Sequence, residues 1–170
     1  MRYGVVVLYT MKIEDLLFIM MLGIAVSACS ETSNEEPQVD EPLFELVDEG
    51  GLSNIKTQRF EIINDAASLD NVWIEHGAGL RDGHGKPVID FNIDQMLALF
   101  LGEKFSGGYA IDVEGIDVFD DRLDVNIVEI VPGNGCAVSL GLTQPYQFIK
   151  IKRTDKMISF LIRSETVDCI

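Results

Sequence analysis

The chain has 170 residues and a formal net charge of −15, from 28 acidic against 13 basic side chains. So acidic a chain disfavours nucleic acid and anionic head groups as partners, because both would be repelled, and its Lys and Arg residues are scattered with no basic stripe. Its length suits a single core of ordinary size.

The first element is an apolar run, LLFIMMLGIAVSA, thirteen residues closing at Ala28. A membrane-spanning helix needs about 20 apolar residues, whereas seven to fifteen is the range of a signal-peptide core with small residues before its cut. Val26, Ser27 and Ala28 precede Cys29 in the pattern of a bacterial lipobox. Residues 1–28 therefore read as a lipoprotein signal peptide and Cys29 as the lipidated first residue of the mature protein. The leader departs from the usual pattern in its weak basic start, where Lys12 is offset by Glu14 and Asp15; Met11 is an alternative start to Met1. An uncleaved anchor or a buried helix is the competing reading.

Residues 29–42 follow as a tether. SETSNEEPQVDEP carries five acidic residues, two prolines and one aliphatic residue, Val39. It cannot bury enough apolar area to offset the entropy of ordering. A lipid-anchored domain needs such a spacer, and more than one acyl chain makes the anchor firm. Ser30 at the second mature position favours the outer membrane. Losing residues 1–28 removes two basic and two acidic residues, so the mature chain keeps its charge. Residues 43–170 remain as one globular domain. With Cys29 assigned to lipid, Cys136 and Cys169 are left as a pair in an oxidising compartment and read as a disulfide; two buried free thiols are the alternative.

Within that domain, QRFEII (58–63) alternates as a strand. Ser68 can cap a helix, LDNVWIEHG, with Leu69, Val72, Trp73 and His76 on one face and Asp70 in the first turn. GLRDGHGKP (79–87) is a polar loop. MLALFL (96–101) is a continuous apolar run, the pattern of a strand covered on both faces. Tyr109, Ile111 and Val113 alternate with polar neighbours, as do Leu123, Val125 and Ile127, and the turn at 120–122 joins the two as a hairpin. Val138, Leu140 and Leu142 alternate as a further strand. PYQFIKIK and MISFLIR flank RTDK (153–156) as a second hairpin. The expected class is α+β, a mostly antiparallel β-sheet of about seven strands with one or two short helices.

DFNIDQMLALFLGEKFSGGYAIDV, followed by EIVPGNGCAVSLGLTQPYQFIKI, resembles the C-terminal domain of the PrcB family. The matching features run in order. Asp90-Phe91 precedes the apolar strand, Gly102 ends it, and Gly107-Gly108-Tyr109 makes a turn. The Pro132-Gly133-x-Gly135-Cys136 loop and Thr143-x-Pro145-Tyr146 come next, and the upstream Trp73 helix fits as well. The resemblance covers roughly residues 58 to 165. The family takes its name from a lipoprotein subunit of a secreted, subtilisin-like protease complex, so the resemblance implies a non-catalytic accessory or assembly role.

The motif residues also have physical readings. Gly107-Gly108 permits positive φ or a bulge, and Tyr109 would begin the next strand with its hydroxyl at a rim. PGNG (132–135) is a tight turn delivering Cys136 into a strand. Pro145 suits the start of an edge strand, Asp90 a backbone cap before the buried strand. As a group, Asp90, Phe91, Gly107, Gly108, Tyr109, Pro145 and Tyr146 form a candidate binding rim near strand ends, although each is more often structural.

No catalytic constellation is legible, neither a Gly-x-Ser-x-Gly elbow nor a zinc motif, and no cofactor is implied. His76 and His84 lie eight apart with Asp82 between them, but His76 reads as packed on its helix. Asp117, Asp120, Asp121 and Asp124 lack the spacing of a calcium loop and read as a solvated turn. The expectation is an envelope lipoprotein, held to the membrane only by its lipid, that binds another exported protein such as a protease. A small-molecule or cation-binding envelope lipoprotein is the alternative, and a hydrolase stands third.

Overall fold

The segment Asp94–Phe100 (β3) is buried at every position, which explains why Met96–Phe100 is apolar without alternation. Met96, Ala98 and Phe100 face one cluster, where they meet Leu69, Val72 and Trp73 of the helix Ala66–His76 (α1). Leu97 and Leu99 face the other, against residues of a second sheet. The computed structural model describes residues 42–77 and 85–169. The leader, Cys29 and the tether up to residue 41 lie outside the described residues, as do Asp82 and His84.

The remaining strands are β1 (Phe44–Gly50), β2 (Arg59–Ile63), β4 (Ala110–Val118), β5 (Arg122–Pro132), β6 (Tyr146–Lys152) and β7 (Met157–Val167). They form a four-stranded sheet in the order β1-β6-β3-β2 and a three-stranded sheet in the order β4-β5-β7. Every strand pair is antiparallel except β5–β7, which is parallel. The described chain is thus α+β, with seven strands, one short helix and mostly antiparallel pairing. The first sheet lies between helix and second sheet, so it needs an apolar residue at nearly every central position.

Four local expectations are corrected. First, the helix cap is Asp65, not Ser68: its carboxylate accepts the Ser68 N–H at 2.8 Å, and the helix starts at Ala66. The exposed Ala66 and Ala67 carry no amphipathic signal, so periodicity alone places the start one turn late. Asp70 accordingly lies beyond the first turn and pairs with Lys86.

Second, β6 and β7 are not a hairpin. β6 is already flanked by β1 and β3, leaving no edge for β7. The chain crosses at residues 153–156 to the other sheet, where Met157 N–H donates to Asp121 O at 3.2 Å. Pro145 therefore precedes an interior strand rather than an edge.

Third, Val138–Leu142 is not a strand. Between the turns around Gly135 and Gly141 this segment is held by point contacts, Gly107 N–H to Ser139 O at 2.9 Å and the Lys104–Thr143 bridge. Leu140 is 96% exposed. The seventh strand is instead β1, whose bulge between Leu46 and Asp48 breaks the period-two pattern that would reveal it.

Fourth, Cys136 does not enter a strand. Its N–H closes the turn on Gly133 O at 3.0 Å, and its sulfur is joined to Cys169, with the two Cα atoms 4.9 Å apart.

Candidate interaction surface

β7 is the outermost strand of its sheet. It pairs with β5 along its whole length, and among the described residues no strand pairs with its other side. At eleven residues it is about twice the usual strand length. Ile158 and Phe160 turn inward, and the Phe160 ring lies 5.5 Å from that of Phe60. Met157 and Leu161 are 63% and 50% exposed. Such an edge offers backbone donors and acceptors flanked by apolar side chains, the requirement for adding a partner's strand. Its far end is fixed by Gly133 N–H to Val167 O at 2.9 Å and by the Cys136–Cys169 bond.

The seven rim residues do not form one surface. Asp90 and Phe91 precede β3 at the end where Asp94 pairs with Lys152; Pro145 and Tyr146 lie at the opposite end, where Tyr146 pairs with Phe100. Six residue steps along a strand separate these ends, roughly 20 Å. Asp90 acts as a backbone cap. Its carboxylate accepts Asn92 N–H at 3.0 Å and its carbonyl accepts Asp94 N–H at 2.9 Å. The Asn92 N–H, and then the Asn92 side chain, hold the Asp90 carboxyl below its ordinary range. Phe91 packs against the helix-side core.

Gly107, Gly108 and Tyr109 do gather with Pro145 at the other end, tied through the 139–143 loop and the Leu101 N–H to Pro145 O bond of 3.0 Å. Gly108 has φ +84°, and a Cβ there would stand 2.8 Å from Val138 and 3.0 Å from Pro132. This turn requires glycine for both reasons. The Lys104 ammonium sits 5.5 Å over the Tyr109 ring and pairs with Glu129 at 2.5 Å. Tyr146 is buried, its ring 4.1 Å from that of His76, and belongs to the core.

Sequence reasoning missed Phe105 and Leu140, which are 88% and 96% exposed on the two loops that the Lys104–Thr143 bridge joins. A single sequence marks them as apolar but cannot say that they face water. His76 packs inside α1's core contact, with Nδ1 3.0 Å from Ser53 Oγ. Among the acidic positions, Asp124 is held by Arg122 at 3.1 Å and Asp117 by Asn126 at 2.8 Å. Among the described residues, no three His, Cys, Asp or Glu side chains are grouped as metal ligands, and no helix is long and apolar enough to cross a membrane.

Residues 96–152 match the family model described as PrcB C-terminal. The matched segment runs from Met96 within β3 to the end of β6 and takes in the Gly107-Gly108 turn, the PGNG loop and Pro145-Tyr146, but not Asp90, Phe91 or β7. No curated protein and no solved structure matches the chain. The PrcB match suggests an accessory module.

Proposed function

We propose that this protein is a bacterial envelope lipoprotein, anchored through Cys29 in the outer membrane, whose sandwich domain engages another exported protein in an accessory role. The partner class suggested by the PrcB resemblance is a subtilisin-like protease, which the module would assemble, anchor or modulate without contributing catalytic groups. The anchor and the tether rest on the lipobox and the acidic segment of the sequence. The observation that carries the interaction role is β7, a long edge strand with no partner on its outer side among the described residues and exposed apolar side chains along it.

The test is crosslinked capture of the tagged protein from its own membranes, comparing the natural chain with Met157→Lys/Leu161→Lys. Both positions are exposed, so the variant retains the fold. The expected result is one exported protease recovered in near-equal amount with the natural chain and lost with the variant. Equal recovery with both chains would remove β7 from the reading, and no specific protein with either would remove the accessory role. Cys29→Ser, followed by fractionation, tests the anchor separately: the protein should leave the membrane fraction.

A further inference from the structure

At the Asp94–Lys152 end of the described domain, the two sheets part to leave a cleft of about 620 Å³, within the size range of small-ligand sites. Its floor is apolar. Phe44 comes from β1, Ile151 from β6, Ile116 and Val118 from β4, and Leu123 from β5. Ile116, Leu123 and Ile151 belong to the core between the sheets, and Val118 is 54% exposed where that core meets solvent.

The mouth has the opposite character from the rest of the chain. Lys150, Lys152, Arg153 and Lys156 all line it, four of 13 basic residues within seven positions of a chain carrying −15. They come from the β6 end and the crossover that follows it, and Glu45 and Asp94 line the cleft beside them. Two of the charges are matched, Lys150 by Glu45 at 2.7 Å and Lys152 by Asp94 at 3.2 Å. The other two are held by neutral acceptors. Arg153 donates to Phe91 O at 2.7 Å and Asn64 O at 3.2 Å, and Lys156 Nζ donates to Phe119 O at 2.6 Å. Among the described residues neither forms an ion pair.

An apolar floor beside two cations that form no ion pair among the described residues defines the ligand's chemistry. A bare anion would leave the floor wet, and a neutral apolar molecule would leave the cations unmatched. We propose that this cleft binds a small amphiphile with one anionic head and an unbranched apolar tail, such as a medium-chain carboxylate. Its head meets Arg153 and Lys156, and its tail lies over Val118, Leu123 and Ile151. This site is separate from β7's outer edge, and it stands or falls independently of the partner proposed above.

The experiment is calorimetric titration of the full chain in lipid nanodiscs, with empty nanodiscs as the blank. The probes are octanoate, its neutral isostere octanamide, and acetate. Octanoate is expected to saturate at one per chain. Octanamide is expected to bind at least about tenfold more weakly, from the lost charge-assisted hydrogen bonding, and acetate not measurably. Lys156→Gln should weaken octanoate about fivefold. Val118→Trp, which fills the floor from an exposed position, should weaken it about tenfold or more. Thermal unfolding without ligand checks that both variants fold. Absence of saturable octanoate binding, equal affinity for octanamide, or unchanged affinity in either folded variant would overturn the proposal.

Discussion

The side chain of Gln147, on an interior strand of the first sheet, accepts the backbone N–H of Val113 on the second sheet at 3.0 Å. Gln147 is buried, and its amide nitrogen is spent on Glu49 at 3.3 Å and Asp112 at 3.2 Å. One polar side chain therefore links β6 to β1 and to β4, beside the β4 bulge between Val113 and Gly115. Gln147→Leu keeps the volume roughly but takes the side-chain acceptor from the buried Val113 N–H. The expected loss is about 1–3 kcal/mol in urea unfolding. An unchanged unfolding midpoint would mean that water replaces the amide and that the link is not stabilising.

Gly50 and Gly51 give a matched pair. A Cβ on Gly50 would lie 2.9 Å from the Tyr146 ring and hydroxyl, whereas one on Gly51 would meet nothing within 4 Å. Tyr146 cannot yield easily, because its ring is packed against His76 and Phe148. Gly50→Ala should destabilise by about 1–3 kcal/mol through overpacking. Gly51→Ala should be neutral or slightly stabilising, by restricting the unfolded chain. Equal effects at the two positions in thermal unfolding would contradict this assignment.

The Cys136–Cys169 bond closes a span of 33 residues and secures the end of β7 beside Gly133. Cys136→Ser/Cys169→Ser should cost about 2–4 kcal/mol, chiefly by freeing the unfolded chain. Amide exchange should rise first in the last residues of β7, since these are exposed and, among the described strands, pair with β5 alone. If β7 keeps its protection in the double variant, the parallel ladder suffices and the bond is redundant.

The parts of the fold that sequence reveals are those where one physical rule acts alone. Met96–Leu101 must be covered on both faces because it has no polar side to offer, and the helix face at Leu69, Val72, Trp73 and His76 follows from spacing. The PrcB resemblance likewise rests on loops whose glycines are forced by close approach, as at Gly108. Legibility fails where two rules compete. β1 carries a bulge that breaks its alternation, and Val138–Leu142 alternates but is held by loop contacts instead of a ladder. The partner of β7 depended on whether β6 still had a free edge, which only the full sheet order decides. The cleft was hidden for a related reason: its basic residues stand close together at 150–156, but the apolar floor beside them comes from β1, β4, β5 and β6, which only the fold brings together.

Asp65 ties the helix to pH. Its carboxylate accepts the Ser68 N–H and the Ser68 hydroxyl, each at 2.8 Å. The backbone N–H first, and then the hydroxyl, hold its carboxyl below the ordinary aspartate range. A depressed carboxyl stabilises the fold fully above its unfolded-state pKa, and that contribution disappears as pH falls through the lower folded-state value. The natural chain should therefore lose this part of its stability only on the acid side of the ordinary aspartate range. Asp65→Asn keeps a capping acceptor without the titration, so the difference between the two chains should be flat from neutral pH down to that range and shrink below it. Asp65→Ala should be less stable than both at neutral pH. Urea unfolding across that interval measures the difference, and one that stayed constant into the acid would show that the carboxylate's charge contributes nothing to the cap.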